Sequence, residues 1–178
     1  ADASEPLTDT GTTAVDGGSE PPPGESPLRP GVQEISVEQR VEGQLVQRRV
    51  LIQVPARLDE RRRYPVVFAF HGNGGRPQGF VGQLRRFVDE GRFIAILPEG
   101  LERSWNLGRE ASQADDIAFV GLIMRALAAY PNLDLTRAFA YGFSNGSALV
   151  NQLAARTDYF RAYAMGASAL VQGLLPPD

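Results

Sequence analysis

Five residues, Gly142-Phe143-Ser144-Asn145-Gly146, have the types and the spacing for nucleophilic chemistry. They follow a short apolar run, Ala138 to Tyr141, of the length that makes a buried strand. They precede a helix-period segment from Ser147 to Arg156. A G-x-S-x-G at a sharp strand-to-helix turn pushes its serine hydroxyl clear of the sheet, at a backbone strain of about 1–3 kcal/mol. Glycines two residues before and two after the serine bring no β-carbon into that corner. The amide of Asn145 points with the N-terminus of the new helix, where N–H groups are unpaired and the dipole favours negative charge. Ser144 is therefore the expected nucleophile, and Asn145 the expected source of half an oxyanion hole. A glycine-bounded turn with a surface serine is the alternative for the motif alone; the flanking strand and helix favour the nucleophile.

A second glycine-rich turn, His71-Gly72-Asn73-Gly74-Gly75, follows the apolar run Val66 to Phe70. Glycines let a backbone approach a carbonyl oxygen with no side chain in the way. Amides of the Asn73–Gly74 region are the expected second half of the oxyanion hole. A phosphate cradle is disfavoured, because the turn lacks the lysine of a P-loop and does not fit G-x-G-x-x-G opening a helix.

Composition narrows the chemistry. The 178 residues suit one domain. There is no cysteine, which removes thiolate chemistry, and a single histidine, His71, which removes a multi-histidine metal site. No cofactor is called for. A net charge of −3 argues against a nucleic-acid partner, and no apolar run reaches the length of a membrane span. All basic residues are arginine, which reads as coding bias. Residues 1–31 hold Pro21-Pro22-Pro23, many acids and few large apolar groups, so they are expected to be a disordered linker. With the Ala1-Asp2-Ala3 start, they are weakly consistent with a secreted protein. The folded part is expected over 32–178.

The elements that must position the two turns can be read in order. Val32 to Glu38 and Gln44 to Val54 form a hairpin around Gly43, with Val46, Val50, Ile52 and Val54 on one face. Val66 to Phe70 and Phe93 to Leu97 are apolar without alternation, as strands covered on both faces are. Helices are expected over 77–90 and 114–130, the second capped by Asp115 or Asp116. Ala162 to Met165 is one more short strand. The predicted fold class is α/β: a three-layer sandwich whose mostly parallel sheet starts with an antiparallel hairpin. Function in such sheets gathers at the carboxyl ends of the strands, where both glycine turns fall.

The blocks Val66 to Gly72, Phe93 to Gly100, Ser104-Trp105-Asn106, Asp115 to Phe119 and Gly142 to Gly146, in this order, resemble the secreted α/β-hydrolases grouped as polyhydroxybutyrate depolymerase-like and feruloyl or acetyl-xylan esterases. The resemblance runs from about Val50 to Val171. It implies a serine esterase acting on polysaccharide-linked or hydroxyalkanoate-type esters, polymeric ones among them, with Ser144 as nucleophile and Asn145, Asn73 and Gly74 around the oxyanion. It also puts Trp105 near the substrate cleft. His71, in the oxyanion loop, is assigned to the substrate side as well, where its side-chain hydrogen bonds would hold that loop.

A serine nucleophile needs a base and an acid that orients it. Only Asp158 and Asp178 follow Ser144, and no histidine does. The resemblance implies further strands carrying both groups, so the chain is expected to be the N-terminal part of an esterase, nearly inactive alone. A scaffold protein that has lost its base, or a prolyl-oligopeptidase-type peptidase, are the alternatives; in the second, a glycine commonly stands where this chain has Ser147.

Overall fold

Gln44 begins a strand that meets its predecessor across a two-residue turn at Glu42-Gly43, where both residues take positive φ. The structure, a computed structural model, describes residues 28–167. Most of the expected linker lies outside the described residues. Leu28, however, is 4% exposed and packs in the core, so packing starts ahead of the expected boundary at Val32.

The chain order is β1 (Gly31–Val41), β2 (Gln44–Val54), β3 (Tyr64–Phe70), α1 (Gln78–Asp89), β4 (Ile94–Pro98), α2 (Asp116–Leu127), β5 (Leu133–Phe143), α3 (Asn145–Arg156) and β6 (Ala162–Gly166). The sheet order is β1-β2-β4-β3-β5-β6. β1 with β2 and β2 with β4 run antiparallel; the other neighbours are parallel.

The continuous apolar runs divide between two cores. Val66, Phe68 and Phe70 of β3 join Ile94 and Ile96 of β4 on the face covered by α2 and α3, with Phe119, Leu149 and Leu153. The intervening Ala69, Ala95 and Leu97 face α1, against Phe80 and Val88. Side chains alternate across a strand, so a strand covered on both faces must be apolar at every position. β2 shows the transition. Its exposed start includes Leu45 and Gln47, whereas Val50 to Val54 are all buried where β4 lies alongside.

Candidate active site

β5 turns into α3 at Ser144, whose φ of 53° and ψ of −118° are unfavourable for any residue with a β-carbon. Packing forces this conformation. A β-carbon on Gly142 would lie 2.3 Å from the Gly146 carbonyl oxygen, and one on Gly146 would lie 2.2 Å from that of Phe70. The corner is pressed against the end of β3 as well as folded on itself. Ser147, fully buried, stitches it further: its Oγ lies 2.7 Å from the carbonyls of both Gly142 and Gly166 and accepts the Gly166 N–H at 3.1 Å. Sequence reasoning missed this serine, whose only signal was its place directly after the motif.

The hydroxyl of Ser144 is half-buried and makes no hydrogen bond among the described residues. The amides of Asn145 and Asn73 likewise have no acceptor there. The glycine turn reaches the serine: a β-carbon on Gly72 would sit 3.3 Å from Ser144 Cβ. Ser144 and Gly72, the residue before Asn73, are thus brought together at the carboxyl ends of β5 and β3. Phe143, half-exposed, presents an apolar ring beside them.

Three expectations are corrected. Gly74 offers no oxyanion donor, because its N–H is spent on the Arg103 carbonyl at 2.8 Å. Trp105 does not line the cleft: it is fully buried, edge-on to Phe70, with its indole N–H donated to the His71 carbonyl at 2.7 Å. His71 is also buried and has no substrate side; instead it holds the loop. Its Nε2 accepts the Gly100 N–H at 3.0 Å, which puts the ring proton on Nδ1, 2.8 Å from the Gly72 carbonyl. Burial lowers the pKa of this imidazole, against the upward pull of the Gly72 carbonyl and of Glu99 and Asp116.

Behind the site, Asp115 caps α2 by accepting the Ala118 N–H at 2.9 Å. Asp116 does something the sequence reasoning missed. Its carboxylate is buried against Arg48 (2.8 Å) and accepts the Asn106 N–H (2.7 Å), while Arg48 also stacks over Phe119 at 3.9 Å. Burial pushes the Asp116 carboxyl up and the Arg48 guanidinium down, each opposed by the other's charge. The available signal was Arg48 itself, a charge at an inward position of the Val46–Val54 alternation. Among the described residues, no three His, Asp or Glu side chains are grouped to hold a metal ion.

The comparisons agree with this frame. No family model matches the chain. It is 26% identical over 170 residues, 90% of its length, to a probable feruloyl esterase C of Aspergillus niger, and covers 58% of that protein. It is 30% identical over 135 residues to that of Aspergillus terreus, covering 48% of it. Among solved structures, it resembles an acetyl xylan esterase from Aspergillus awamori with a TM-score of 0.59 at 20% identity, over 78% of this chain and 53% of that one. A Thermogutta terrifontis esterase 2 phosphoramylated by tabun matches with a TM-score of 0.60 at 22% identity, over 83% and 61% of the two chains. The chain has the α/β-hydrolase fold and is similar in sequence to feruloyl esterases. It spans about half the length of the curated relatives it matches.

Proposed function

We propose that the protein is a carboxylic ester hydrolase in which Ser144 is the nucleophile. Ser144 Oγ attacks the ester carbonyl carbon, the carbonyl oxygen becomes an anion held by the amides of Asn145 and Asn73, and the alcohol leaves. Water then releases the acid from the acyl-serine. The observation that carries this reading is a strained serine whose hydroxyl and two neighbouring amides lack partners among the described residues. A preorganised donor of this kind is worth roughly 10²–10³ in rate. The feruloyl esterase relatives favour feruloyl-type esters over hydroxyalkanoates. In this reading, residues before Leu28 serve as a linker in a secreted protein.

The proton acceptor is not His71, whose Nε2 lone pair is taken by Gly100. His71 is also the only histidine in the 178 residues, so none of them offers a free imidazole to take the Ser144 proton. Labelling the full gene product with a fluorophosphonate, beside Ser144→Ala, tests the proposal. Modification is expected at Ser144, with ester turnover lowered on the order of 10⁶-fold in the variant. Labelling that persists in Ser144→Ala, or a full gene product that never labels, overturns it; the second result favours a non-catalytic scaffold.

A further inference from the structure

The segment from Gly100 to Trp105 holds no group expected to react, yet it is bonded to both halves of the anion site. Toward the glycine turn it makes three bonds. Gly100 N–H donates to His71 Nε2 (3.0 Å), the Trp105 indole N–H donates to the His71 carbonyl (2.7 Å), and the Arg103 carbonyl accepts the Gly74 N–H (2.8 Å). Toward the serine corner it grips one side chain. Trp105 N–H donates to Asn145 Oδ1 (2.8 Å), Asn145 Nδ2 donates back to the Trp105 carbonyl (3.0 Å), and Ser104 Oγ adds a contact to Oδ1 at 3.3 Å. The side-chain amide and the backbone of one residue thus exchange a donor and an acceptor each way. An aspartate lacks the donor for this pairing, and a serine is too short.

The segment cannot slide. A β-carbon on Gly100 would meet the Ser104 carbonyl oxygen at 2.4 Å, so the loop is closed on itself. Glu102 and Arg103 take φ of 53° and 57° in succession, two strained residues that aim the Arg103 carbonyl at Gly74. Strain held at a place with no reacting group calls for a reason. Two amides stabilise one oxygen only if both stand about 2.7–3.1 Å from it at once. Here they sit on turns after two different strands, and sheet pairing fixes the strands rather than the turns beyond them.

We propose that Asn145 and Trp105 are positioning residues: the Asn145 side chain, clamped to the Trp105 backbone, and the Trp105 indole, bonded to His71, lock the spacing between the Asn145 and Asn73 amides. Asn145 thereby serves twice, by its backbone at the anion and by its side chain in the link. The catalytic meaning rests on the serine-esterase reading; the link between the two turns does not.

Amide exchange and inactivation kinetics separate the two. In Asn145→Ala, which keeps the backbone N–H, exchange at the Gly74 amide and at the indole N–H of Trp105, the only tryptophan, rises about tenfold or more, while Phe68 in β3 is unchanged. Neither reporter exchanges a proton with the Asn145 side chain. With a fluorophosphonate on the full gene product, the maximal inactivation rate falls between about 10- and 100-fold at an unchanged half-saturating concentration. Parental exchange at Gly74, or a parental inactivation rate, overturns the proposal. Should Asn145→Ala fail to fold, Trp105→Phe, which removes the indole donor together with some buried ring volume, must raise Gly74 exchange in the same way while Phe68 stays unchanged; if Gly74 does not respond, the link is refuted. A parent protein that does not label sinks the esterase reading instead, and Gly74 exchange alone then decides the link.

Discussion

The imidazole of His71 is 3% exposed, against the Trp105 ring, and is neutral for two reasons. Burial lowers its pKa, and the Gly100 N–H occupies the lone pair that a second proton would need. A histidine kept neutral in the folded state while the unfolded chain takes up a proton near pH 6.5 makes the unfolded state bind more protons just below that pH. Stability is therefore full above about pH 6.5 and falls as the pH drops below it, by at most about 1.4 kcal/mol per pH unit. Urea denaturation between pH 7.5 and 5 should give this slope. His71→Gln, which has no such proton, should lose it while being less stable at neutral pH. An equal slope in the variant would assign the acid sensitivity to another group.

At the scale of elements, the Arg48–Asp116 pair joins the hairpin to the start of α2, with both side chains about 1% exposed. Arg48 also bonds Gln39 of β1, whose Nε2 reaches the Asp115 carbonyl at 2.6 Å. Breaking such a pair on one side strands a charge in the core, which costs about 3–5 kcal/mol. Asp116→Asn should destabilise by about that much, whereas Arg48→Met with Asp116→Leu should recover most of the loss, as read from denaturation midpoints. Additive losses would mean that the pair is not coupled. This joint also marks the limit of what was legible beforehand. The strands were legible because each apolar run reports its own burial. Their ends were not: β5 starts at Leu133, ahead of the apolar run, because Tyr64 and Pro65 of β3 pair with Leu133 and Asp134 before a register shift. α2 starts at Asp116 because Asp115 is spent on the cap. In the site, glycine spacing revealed where the backbone must crowd, and so the strained corner at Ser144. It could not reveal that Gly74 is already bonded or that Trp105 faces inward, since each depends on a partner about thirty residues away in the chain.

Across the whole molecule the two faces of the sheet are unequally held. The α2–α3 face buries the aromatic rings Phe68, Phe70, Phe119 and Trp105, while α1 on the other face buries only Phe80 and Val88 of its own residues. α1 also starts at Pro77 without a side-chain cap and carries Gly79 and Gly82. Each helical glycine costs roughly 0.5–1 kcal/mol relative to alanine. Few buried groups and weak local propensity mark the unit that opens first. Amides of α1 should exchange at a lower free energy, and with a shallower denaturant dependence, than those of β3 and β4. The glycine turn directly before α1 is tied to the other face through His71 and Gly74, so the serine corner stays protected while α1 opens. Gly82 is exposed, and a β-carbon there meets nothing within 4 Å, so Gly82→Ala should slow α1 exchange about two- to fivefold and leave β3 unchanged. If α1 and β3 exchange together, with the same denaturant slope, the two faces form one cooperative unit and the weaker helix is not a separate opening step.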